Sequence, residues 1–112
     1  MATRTDDQLI QEVAAILGKF VPGEALGPVE NDTISNCIDE VLEEIDGIVS
    51  GFDREEIPLK YFETIARLTA IHAASKFSNT PLDIAGVQDH EQRLRYLAAN
   101  EPGYGVARGE YY

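Results

Sequence analysis

Between residues 34 and 45 the apolar side chains Ile34, Cys37, Ile38, Val41, Leu42 and Ile45 recur at i, i+3, i+4, i+7, i+8 and i+11 without a gap. On a helix of 3.6 residues per turn that spacing makes one continuous stripe, whereas on a strand it would scatter over both faces, so the segment is predicted to be an amphipathic α-helix. Asp32 or Asn31 is placed to cap it. Its other face holds Asp39, Glu40, Glu43, Glu44 and Asp46. Asp39 with Glu43, and Glu40 with Glu44, are like-charge i,i+4 pairs that cost about 0.2–0.5 kcal/mol each, and the last acids stand at the unfavourable end of the helix dipole. The face works mildly against its own helix.

Three more helices follow from caps and periodicity, and nothing reads well as a strand. Near the start, Thr5 and Gln8 have capping-box spacing, Asp6 and Asp7 complement a helix N-terminus, and Leu9, Ile10, Val13, Ile16 and Leu17 make one apolar face that Gly18 ends. The segment VPGEALGPVEND reads as an ordered loop. Pro58 after Ile57 suits a first helical turn, and Tyr61, Phe62, Ile65, Leu68, Thr69, His72, Ala73 and Phe77 supply a broad buried face. Ala66, Ala70, Ala73 and Ala74 let a neighbour approach closely, which marks this helix as the central one. Thr80 as cap, Pro81 at the first position and Asp83 three residues after the cap open a fourth helix through Ile84, Val87, Leu94, Leu97 and Ala98, closed by Asn100. The fold expected is all-α, a four-helix bundle over residues 1–100, followed by an extended C-terminal arm over 101–112.

A chain of 112 residues, 44% apolar, suffices for one core. It has no apolar run long enough to span a bilayer, and its charged N-terminus is unlike a signal peptide, so a soluble protein made in a cytoplasm is expected. The formal charge of −11 is uneven: residues 1–52 hold 11 acids and 2 bases, and residues 53–112 hold 9 acids and 7 bases. That balance argues against an embrace of nucleic acid, which needs clustered Lys and Arg, and against an anionic membrane surface.

Motifs for catalysis are missing. There is no phosphate-cradling glycine loop, EF-hand or metal-spaced His/Cys cluster, so no metal or other cofactor is expected. Cys37 lies in the apolar stripe and reads as packing; His72 reads as a satisfied core or boundary residue, and His90 as a surface one. Acids are abundant enough to compose a glycosidase pair, but none is singled out, and no enzyme is expected. The ladder Asp39, Glu40, Glu43, Glu44, Asp46 admits three readings: a solvated face, a surface that repels DNA along a conduit, or a DNA mimic that fills a cationic site. The ending YGVARGEYY gathers three tyrosines and an arginine, residue types enriched at interface hot spots, and reads as a docking arm.

Taken in order, these segments resemble the head-to-tail adaptors of tailed bacteriophages, specifically the tail accessory factor family of short-tailed, Salmonella-type podoviruses. The resemblance is carried by TDDQLIQEVAAILG, by LGPVENDTISNCIDEVLEEIDGI, by EEIPLKYFETIARLTAIHAASKF, and by the closing Tyr-x-Val and Glu-Tyr-Tyr. It implies a structural virion protein at the head–tail junction, present in the host cytoplasm during assembly. It further implies a homo-oligomeric ring of about twelve copies beneath the portal protein, with distal tail (nozzle or hub) proteins attached below and DNA passing through the lumen without specific binding. On that resemblance Tyr104, Val106, Tyr111 and Tyr112 would fill portal grooves and Arg108 would pair with portal carboxylates. The competing expectations are an acidic DNA mimic or inhibitor working through the α-helical acid ladder, and a small cell-wall hydrolase.

Overall fold

The computed structural model describes residues 3–19, 26–49 and 52–99. Six elements follow in order: β1 (Thr3–Arg4), α1 (Asp6–Ile16), α2 (Pro28–Glu44), β2 (Ile57–Pro58), α3 (Leu59–Ser78) and α4 (Ile84–Ala99). The described chain is mostly helical, with a small two-stranded sheet.

The capping box forms as the spacing requires. Gln8 N–H donates to Thr5 Oγ1 at 3.3 Å, and Thr5 N–H donates to Gln8 Oε1 at 2.9 Å. At the other end Gly18 adopts φ 74, and Lys19 N–H reaches back to Ala14 O at 2.8 Å, which closes α1 in a Schellman turn. α1 buries Leu9, Ile10, Val13 and Ala14, while Ile16, expected inside, is 39% exposed. Ala14 takes its place in the core.

α2 begins earlier than its expected caps. Gly27 is the N-cap and Pro28 the first helical residue, where a fixed φ and a missing N–H cost nothing, so Asn31 and Asp32 stand within the opening turns. Asn31 N–H already bonds Gly27 O at 2.9 Å. The apolar stripe is buried at Ile34, Cys37, Ile38 and Val41 and continues into Ile45, beyond the last helical residue. Asp46 accordingly lies in the turn after the helix.

The two strands correct the expectation of a chain without any. Thr3 pairs with Pro58 and Arg4 with Ile57, antiparallel. A residue before proline is driven into extended conformation, so Ile57–Pro58 suits a strand better than a first helical turn, and Pro58 becomes the N-cap of α3. Ile57 is fully buried beneath this pairing.

α3 is central: α1, α2 and α4 all pack on it. It buries ten residues, from Tyr61 to Ala73, among them Ala66 and Ala70 where neighbours come close. Thr69, buried within it, is satisfied by donating to Ile65 O at 2.8 Å. Thr80 does not cap α4. It closes α3 instead, its N–H bonding Ser75 O at 3.1 Å after a left-handed Asn79 at φ 52. Asp83 caps α4: Gly86 N–H donates to Asp83 Oδ1 at 3.1 Å and Val87 N–H to Asp83 O at 3.0 Å. α4 buries Val87 and Leu94, half-buries Leu97 and Ala98, and leaves Ile84 62% exposed.

Candidate functional site

The acid ladder of α2 is partly tied into the protein's own frame. From residue 26 to 49 there are seven acids and no Lys or Arg, so every cation that steadies α2 comes from another element. Arg54 supplies the largest share. Its guanidinium donates to Asp6 Oδ2 at 3.1 Å, to Ser35 O at 3.3 Å, to Ser35 Oγ at 2.6 Å and to Asp39 Oδ1, joining the start of α1 to the middle of α2. Planar forked donors are what lets one side chain make all four contacts.

Lys76 on α3 takes the next acid, with Nζ 2.7 Å from Glu40 Oε2, and this hydrogen bond holds the ammonium pKa above its ordinary value. Glu44 lies beside buried His72, with Oε1 3.5 Å from Nε2. That nitrogen has no hydrogen-bond partner, so His72 is a buried residue as expected but not a satisfied one. Glu43 and Asp46 are exposed and unpaired among the described residues. The five acids therefore split into an anchored pair, an exposed neighbour of the buried histidine, and two free carboxylates at and just beyond the C-terminal end of α2.

Cys37 is fully buried, and that burial pushes its thiol pKa up, with Lys76 opposing. It is packing, not a nucleophile poised as thiolate. No group of three or more His, Cys, Asp or Glu among the described residues is arranged to hold a metal ion. None of the described helices is long and apolar enough to cross a membrane.

Two features had no clear signal in the sequence. Glu12 on α1 hydrogen-bonds Glu63 on α3; its carboxyl pKa is raised, first by burial and then by the Glu63 charge and hydrogen bond, with Arg4 and Arg67 opposing. The second is a groove of about 420 Å³ between α3 and α4, whose lining includes Lys60, Glu63 and Arg67 from α3 and His90, Arg93 and Leu97 from α4. Arg67 bonds Glu63 at 3.2 Å, and Arg93 lies over the Tyr96 ring at 5.4 Å. His90, expected at the surface, is half-buried with Nδ1 2.8 Å from Gly86 O. Residues more than twenty positions apart on α3 and α4 cannot announce such a groove by local spacing, because it arises only when α4 folds back along α3.

The proposed docking residues Tyr104, Val106, Arg108, Tyr111 and Tyr112, together with Asn100, lie outside the described residues. The chain matches no protein-family model, no curated protein and no solved structure.

Proposed function

We propose that this chain is a structural adaptor of a tailed-phage particle, which adds as a ring of about twelve copies beneath the portal, extends the DNA channel and gives tail proteins their attachment site. In this reading residues 1–100 close as a helical bundle and residues 101–112 are the arm that docks on the portal through Tyr104, Val106, Arg108, Tyr111 and Tyr112. The order of parts it shares with the adaptor family motivates the reading, and one observation in the fold supports it. α2 is a basic-residue-free helix clamped in position by Arg54 and Lys76 from outside it.

A clamped negative wall suits a conduit, since fixed like charge repels a duplex that must slide past, within a screening length of roughly 8 Å. A DNA mimic needs the opposite: charges free to meet a partner's cations. Asp39 and Glu40 already have cations of their own, which disfavours the mimic reading. Pairing also tempers the repulsion, leaving it chiefly to Glu43, Glu44 and Asp46.

The test is negative-stain microscopy of the cognate portal ring mixed with the full chain, beside the same mixture made with a chain ending at Asn100. The expected result is a new collar with the full chain only. A collar with both would remove the arm's assigned role, and no collar with either would remove the adaptor reading.

A further inference from the structure

The groove between α3 and α4 is a cationic feature in an acidic protein. Lys60, Arg67 and Arg93 line it against two acids, Glu63 and Asp89, and Glu63 is already bonded to Arg67. The free carboxylates Glu43 and Asp46 stand at the far end of α2, in a stretch that contains no base. These two surfaces cannot meet within one molecule. His72 and Lys76, which reach α2, are roughly 150° around α3 from Lys60, Glu63, Thr64 and Arg67, which line the groove, at 100° per residue. One chain thus carries an acidic end on one flank of its central helix and a basic groove on the other.

We infer that the groove receives the acid-rich C-terminal end of α2 from a second copy of this chain. Surfaces that are complementary to each other but not to themselves join copies head to tail, and such contacts generate rings when the rotation closes. The groove's cations then face Glu43 and Asp46 of the next copy, with the half-buried Leu97 also lining the groove. The contact is electrostatic and rim-exposed, so it sets orientation and register more than raw affinity, and salt weakens it. The inference deepens the ring reading and rests on it for closure, while the contact itself is testable without a portal.

The experiment is sedimentation velocity on the full chain at about 25 mM and about 300 mM salt, which spans a large change in screening. Two reversed variants accompany it, Lys60→Glu with Arg93→Glu in the groove and Glu43→Lys with Asp46→Lys at and just past the end of α2, each checked for helical circular dichroism. Wild type should self-associate at low salt and dissociate at high salt, and each variant alone should associate at least about tenfold more weakly. Mixing the two variants should restore association, because each supplies the charge that the other's altered surface now needs. Should a reversal unfold, Glu43→Gln with Asp46→Asn carries the same expectation at smaller size.

A wild type that stays monomeric at low salt, variants that associate like wild type, or a mixture that does not recover would each overturn the contact. So would inorganic phosphate binding the groove without any effect on association. The same variants added singly to the portal ring separate the two proposals. A collar built by either one keeps the adaptor role and removes this interface, whereas wild type failing to build a collar removes the adaptor role and leaves the mixing result to decide the contact.

Discussion

α2 and α4 are nearly equal in length, 17 and 16 residues, yet they are held in different ways. α2 buries Ile34, Cys37, Ile38 and Val41 and is clipped by Arg54 and Lys76; α4 buries only Val87 and Leu94 and packs chiefly on α3. The charge pattern explains the contrast. A helix without a single base needs outside cations to offset its own repulsion, whereas α4 mixes both signs along its length and can rest lightly. The strongly anchored helix is therefore the acidic one, and the lightly packed helix is the one that walls the groove.

The sharpest way to break this comparison is to cut one core residue from each helix. Ile38→Ala, at a fully buried position of α2, should cost about 3–4 kcal/mol and shift the whole denaturation curve. Leu94→Ala, equally buried, should cost about 2–3 kcal/mol, with part of the loss appearing as weaker amide-exchange protection confined to α4. Equal protection of α2 and α4 in the Leu94→Ala protein, measured by hydrogen exchange, would show that α4 is not separately labile.

Arg54→Ala tests the clip. Removing four hydrogen bonds from a side chain 24% exposed, three of them to groups on α2, should destabilise the fold by about 1–3 kcal/mol in chemical denaturation. Arg54→Lys should recover only part of that, since an ammonium cannot reproduce the fork. A loss under about 0.5 kcal/mol would place Arg54 with ordinary surface ion pairs and remove the clip from the argument.

How far these features were legible from the sequence depends on whether their cause was local. The capping box at Thr5 and Gln8, the Gly18 stop and the α2 stripe follow from neighbours within one or two turns, and all formed. Pro58 and Thr80 went the other way because each has two local uses: proline opens a helix or extends a chain, and threonine begins a helix or ends one. Tertiary context chose between them, β1 arriving beside Ile57–Pro58 and α3 needing a residue to bond Ser75 O. Arg54 gave no signal at all, since its partners lie 48, 19 and 15 positions away. The groove and the Glu12–Glu63 contact were invisible for the same reason.

That contact gives the smallest effect, and its sign is definite. The Glu12 carboxyl binds its proton more tightly in the folded state than at its ordinary value near 4.5, so its contribution to stability is present below that value and is lost as pH rises through the raised one. Arg4 and Arg67 oppose the rise and relieve part of the repulsion from Glu63. Glu12→Gln keeps a donor for Glu63 and removes one charge, so it should stabilise the fold by under about 1 kcal/mol at pH 7, since Glu63 is half exposed and screened. The gain should shrink steadily as the solution is acidified toward pH ~4, where the wild-type carboxyl is protonated anyway. Thermal melts of the two proteins between those limits read the difference directly; a gain that stayed constant with pH would show that the substitution acts through packing, and a loss at pH 7 would show that Arg4 and Arg67 outweigh Glu63 at this position.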